Sequence, residues 1–132
     1  MALSWRSTKR LAIALVVAVA ACSRNNPETG ADFDPRPEPI SVFVKNENFL
    51  DVNVSIVTGG VSRRLGQVSG NGSSDFKLNA SFANGQSVSV IAVPIGQSTR
   101  YTSPGLQVRP GQRIEVRIAA SLRQSSTVVR DP

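Results

Sequence analysis

The stretch Arg113-Ile114-Glu115-Val116-Arg117-Ile118 alternates charged and branched apolar residues without a break. In an extended chain successive side chains point to opposite faces, so Ile114, Val116 and Ile118 share one face and Arg113, Glu115 and Arg117 the other. That is a strand with one side in a core and one in water. The same period of two recurs upstream. Ile40, Val42 and Val44 alternate with Ser41, Phe43 and Lys45; Val52, Val54 and Ile56 with Asn53, Ser55 and Val57; Phe76 and Leu78 with Asp75, Lys77 and Asn79. Residues 87–95 are apolar through their centre (Val88, Val90, Ile91, Ala92, Val93), which predicts the most buried strand, with Pro94 ending its regular pairing or setting a bulge.

Between these runs lies turn chemistry. Gly59-Gly60 can join residues 52–58 to residues 61–68 as a tight hairpin, because glycine tolerates the positive φ such turns need. Gly70-Asn71-Gly72, Asn84-Gly85 and Pro110-Gly111 mark further reversals, the last suited to a type II turn. From residue 40 onward there are 14 Val and 6 Ile against 5 Leu, a β-branched excess that favours pleated surfaces over helices. About seven or eight short strands over ~90 residues make two packed antiparallel sheets the economical solution. The expected fold is all-β: one antiparallel β-sandwich of about seven strands, spanning 40–132, after a signal helix and a disordered tether.

Phe76-Lys77-Leu78, then Gly85-Gln86-Ser87-Val88-Ser89-Val90, then Pro110-Gly111-Gln112 resemble, in order and pattern, the transthyretin-like or carboxypeptidase-regulatory-like β-sandwiches, and more broadly immunoglobulin-like modules. The Cys and Trp pair of antibody-type domains is missing. The resemblance implies an adhesion, carbohydrate-binding or accessory module and carries over no functional residue.

The N-terminus has its own logic. Arg6, Lys9 and Arg10 stand in the first ten residues with no acid, and residues 11–21 form an apolar run too short to cross a bilayer as a mature helix. That is a secretory signal peptide, 1–21. It ends in Val19-Ala20-Ala21-Cys22, which resembles the lipobox of bacterial lipoproteins, where the Cys becomes the lipidated first residue. Cys22 is the chain's one cysteine, so no thiol of the same chain can pair with it. Acyl chains at about 0.8 kcal/mol per buried CH₂ would make such an anchor effectively permanent. With Ser23 rather than Asp next, the resemblance implies an outer-membrane lipoprotein facing the periplasm or cell surface.

Residues 22–39 are rich in Asn, Pro, Gly and charge and cannot bury a core. Pro35, Pro37 and Pro39 favour an extended, semi-rigid spacer. In this tether Glu28, Asp32, Asp34 and Glu38 outnumber Arg24 and Arg36, whereas from residue 40 ten basic residues face five acids. An acidic tether therefore carries a basic domain, drawn toward lipid head groups, cell-wall carboxylates or an anionic envelope protein. Export makes nucleic acid an unsuitable partner.

Catalysis has little to work with. The 132 residues contain no His, which removes Ser-His-Asp and Cys-His nucleophile systems and His-based metal sites. Ser74-Asp75-Phe76-Lys77 has the spacing of the Ser-x-x-Lys of penicillin-interacting enzymes, yet a strand would put Ser74 and Lys77 on opposite faces. The oxygen-rich loop from Asn46 to Asp51 could suit Ca²⁺, but Asn and Asp there serve more naturally as local caps of the backbone. Asp51-Val52-Asn53-Val54-Ser55 fits an extended bacterial N-glycosylation sequence, on a strand. No cofactor, catalytic residue or metal ligand is assigned.

Arginines are the remaining signal. Arg113 and Arg117 share a strand face, Arg109 lies across the Pro110-Gly111 turn, and the adjacent Arg63 and Arg64 point to opposite faces. Guanidinium clusters grip carboxylates and phosphates through paired hydrogen bonds. The competing reading is a solvated sheet face, which Glu115 between Arg113 and Arg117 supports. Tyr101 and Phe49 fall in predicted loops, as contact residues or as caps on the sandwich. The function expected is a lipid-anchored, non-catalytic binding or adaptor module of the cell envelope, with a structural envelope component, a small periplasmic enzyme or a carbohydrate-binding accessory domain as alternatives.

Overall fold

A computed structural model describes residues 36–132. The signal peptide, Cys22 and the tether up to residue 35 lie outside the described residues. Eight strands follow in order: β1 (Ile40–Asn46), β2 (Val52–Thr58), β3 (Val61–Val68), β4 (Ser73–Leu78), β5 (Val88–Pro94), β6 (Tyr101–Thr102), β7 (Arg113–Ile118) and β8 (Ser126–Arg130). Between strands, the only helical pieces among the described residues are the 3-10 turns Ala80–Phe82 and Leu122–Gln124. No described helix is long and apolar enough to cross a membrane.

The strands form two four-stranded sheets, ordered β4-β1-β7-β8 and β3-β2-β5-β6. Ile40, Val42, Val44, Ile114 and Val116 from the first meet Val52, Val54, Ile56, Val88 and Val90 from the second in one core, each at most 2% exposed. Alternation thus sets the faces as expected: β2 and β5 bury every second residue, Pro94 closes β5 opposite Val52, and half-buried Ile91 and Val93 lie on the outer face. The Gly59-Gly60 hairpin and the reversals at Asn71, Asn84-Gly85 and Gly111 form where expected, all with positive φ.

One pairing departs from an all-antiparallel sandwich. β1 runs parallel to β7, with Val42 opposite Ile114 and Val44 opposite Val116, and antiparallel to β4 on its other side. A parallel neighbour cannot be a hairpin partner, and here the connection between them passes through the whole of the second sheet. The first strand of the domain is therefore central in its sheet, held by ladders on both edges.

The two sheets are tied at both margins. Tyr101, expected in a loop, sits in β6 with its ring on the core and its hydroxyl 2.8 Å from the Thr127 hydroxyl of β8. At the opposite margin the Phe76 ring of β4 lies over Gly66 of β3, where a β-carbon would come within 2.8 Å of the ring.

Candidate functional site

The outer face of the β4-β1-β7-β8 sheet collects the charge. Strand registers arrange its outward residues in three rows across the strands: Lys77, Ser41, Arg113, Arg130; then Asp75, Phe43, Glu115, Val128; then Ser73, Lys45, Arg117, Ser126. Neighbours within a row stand about 4.8 Å apart and rows about 7 Å apart. Cations fill the outer rows and acids the middle one. Five basic side chains share this face with Asp75, Glu115 and, just past β1, Glu47.

Most of these charges are already paired. Arg113 reaches Asp75 at 2.9 Å and Glu115 at 3.9 Å, and its guanidinium stacks 4.8 Å from the centre of the Phe43 ring. Arg130 holds Glu115 at 2.8 Å, which raises the arginine pKa above its ordinary value. Glu47 bridges Arg117 at 2.6 Å and Lys45 at 3.1 Å. The hydrogen bond from Arg117, then that from Lys45, hold the Glu47 carboxyl below the usual range. Lys77 differs: it donates to the Ser41 hydroxyl at 2.6 Å and has no acid within ion-pair distance among the described residues.

The expected arginines are therefore divided. Arg113 and Arg117 share the face, as their spacing requires, but both are engaged by acids from other strands. Arg109 is exposed at the Pro110-Gly111 turn, where its backbone N–H donates to Gln112 and its carbonyl accepts from the Gln112 backbone N–H. Arg63 and Arg64 belong to the other sheet, with Arg63 opposite Ile56 and Arg64 donating to Asn53 at 2.7 Å. The structure does not bring them to the Arg113 face. Lys45, Lys77 and Arg130 complete the face. The first two already stood at polar positions of alternating runs, but their neighbours follow only from the registers of β1 with β4 and β7 and of β7 with β8.

The other motifs resolve into structure. Ser74 and Lys77 project from opposite faces of β4. Asn53 lies half-buried in β2, its side-chain oxygen taken by Arg64. In the oxygen-rich loop, Asn46 is 1% exposed and donates to the carbonyls of Leu50, Val68 and Ser69; its own oxygen caps the Asn48 N–H. Asn48 caps Leu50, while both Asp51 oxygens accept, from Gln67 and from the Gly70 N–H. These oxygens hold the loop's backbone in shape. Among the described residues no group of three acids or thiols converges as a metal site would require.

Such a domain is a two-sheet β-sandwich with one charge-rich outer face. No family model matches the chain, and no curated protein does. Among solved structures it is similar to an NMR structure of a protein from Eubacterium rectale, at 14% identity over 72% of this chain and 91% of that one, TM-score 0.46. It is also similar to a crystal structure described as a putative cell adhesion protein from Bacteroides ovatus, at 8% identity over 74% of this chain and 44% of that one, TM-score 0.38.

Proposed function

We propose that the protein is a non-catalytic binding or adaptor module of the bacterial cell envelope, anchored by lipid on Cys22 and built on a transthyretin-like or immunoglobulin-like sandwich. One observation carries this reading: an outer sheet face on which five cations oppose three acids. A charged grid spread over three strand rows suits a polymer or a protein surface, since small substrates are held in concave sites. Ion pairs within the grid keep the side chains ordered, and the surplus of positive charge at Lys77, together with exposed Arg109 at the Pro110-Gly111 turn, can meet carboxylates or phosphates of an envelope partner.

The test is crosslinking of the tagged full-length protein in cells, with the Cys22→Ala form as control. An anionic envelope protein or polymer captured in an anchoring-dependent manner supports the proposal. Capture of lipid and abundant bystanders alone contradicts it. The Cys22→Ala form should also leave the membrane fraction, and its retention there at high salt would refute lipidation.

A further inference from the structure

β3 is an edge strand, paired with β2 alone, and its first half is open to solvent. Val61, Ser62, Arg63 and Arg64 are all exposed, whereas β4 packs on β3 further along, where Phe76 lies over Gly66. The two-residue Gly59-Gly60 turn makes Thr58 and Val61 the first hydrogen-bonded pair of the hairpin. From there the ladder alternates, so the N–H and C=O of Ser62 and Arg64 turn away from β2. Neither backbone bonds to another element among the described residues. Val61 and Arg63 stand opposite Thr58 and Ile56 on the core side of the strand, yet the first sheet leaves them uncovered; Val61 is 63% exposed. Arg63-Arg64 is also the one pair of adjacent cations among the described residues. Arg64 donates to the Asn53 amide oxygen at 2.7 Å, Arg63 has no side-chain partner, and no acid lies within ion-pair distance of either among the described residues.

We propose that the first half of β3 accepts, by strand addition, an extended segment of another protein that carries two adjacent acids. Main-chain bonds at Ser62 and Arg64 give such a segment its register. Adjacent residues of an added strand project to opposite faces, so one acid meets Arg63 on the core side and the other meets Arg64 on the outer side, while a branched apolar neighbour packs on Val61. Charge decides against a second copy of β3. Antiparallel pairing of two such strands, in every register centred on the arginines, sets Arg63 against Arg63, Arg63 against Arg64 or Arg64 against Arg64, and like charges directly opposite destabilise a ladder. Nor does another segment of this chain match, since no two of its acids are adjacent in sequence; Asp32 and Asp34, two apart, would share one face of a strand and leave one arginine unanswered. The same pair of cations thus bars self-association at the edge and selects an acidic strand. The edge belongs to the β3-β2-β5-β6 sheet, so the inference stands apart from the Lys77 and Arg109 face.

The probe is an end-blocked peptide, Thr-Val-Glu-Glu-Val-Thr, titrated at low salt into the isotope-labelled full-length chain carrying Cys22→Ala and followed by NMR. The amide signals of Ser62 and Arg64 should move, and their exchange with solvent should slow. Replacing both glutamates of the peptide by glutamine should weaken binding about tenfold, as should Arg63→Gln/Arg64→Gln at an unchanged melting temperature. A peptide N-methylated along its pairing edge keeps its charge but cannot extend the ladder, and should not bind. The Lys77→Gln/Arg109→Gln chain should bind the peptide as the native chain does. Equal binding of the N-methylated peptide would overturn the proposal in favour of ion pairing without an added strand. So would signal changes centred on Lys77 and Arg109, silence of Ser62 and Arg64 at millimolar peptide, or movement of the β3 amides with the concentration of this chain alone.

Discussion

The Tyr101 hydroxyl lies 2.8 Å from the Thr127 hydroxyl, joining β6 of one sheet to β8 of the other. The bond is partly buried and closes a margin where β6 contributes only two residues. A net hydrogen bond is worth about 1 kcal/mol. Tyr101→Phe should lower unfolding stability by about that amount in urea titration, with unchanged m-value, because the ring still fills its place in the core.

Gly70 passes directly against the Phe49 carbonyl while its N–H donates to Asp51. Neither backbone can retreat cheaply, since Asn46 and Asn48 fix the loop on its other side. Gly70→Ala should cost about 1–3 kcal/mol, the range of core overpacking. Thermal denaturation checks this.

Thr58 ends β2 with a buried hydroxyl that has no hydrogen-bond partner among the described residues. Valine has the same shape without the unsatisfied oxygen, whose burial costs roughly 1–3 kcal/mol. Thr58→Val should therefore raise the urea midpoint, by up to about that range.

Glu47 titrates below its ordinary value in the folded chain because Arg117 and then Lys45 hydrogen-bond its carboxylate. A depressed carboxyl pKa adds stability that is present above the unfolded value and fades as pH falls through the folded one. NMR titration of the Glu47 carboxyl should show the depressed value, and Arg117→Gln should move it back up toward the ordinary carboxylate range.

The sandwich was legible because burial is one-sided. Arg113 to Ile118 could bury Ile114, Val116 and Ile118 only as a strand, and Gly59-Gly60 supplied the one tight hairpin geometry its flanking strands need. What alternation assigns is a face, never a neighbour. The β1–β7 register puts Phe43 beside Glu115, residues far apart in sequence, and no local pattern encodes that pairing. Hence Arg113 and Arg117 were legible as face residues, while Asp75 and Glu47, which neutralise them, were not. Tyr101 was misplaced for a similar reason: a two-residue strand has no period to detect, and its side-chain hydrogen bond goes to a residue 26 positions away.

These pairings also decide which charges to remove. Neutralising Arg113 would leave Asp75 without its cation, and neutralising Arg117 would leave Glu47 with Lys45 alone, so either change alters the face in two ways at once. Lys77 and Arg109 have no acid within ion-pair distance among the described residues, so Lys77→Gln/Arg109→Gln removes surplus charge with the ion-pair grid intact. The most direct test of the sheet-face proposal is retention of the Cys22→Ala chain on isolated cell envelopes across a NaCl series, with and without that double substitution. Retention that falls as salt rises is expected for the native face, and a weak, salt-insensitive retention for the substituted one at an equal melting temperature. Identical retention of the two chains at every salt concentration would contradict it.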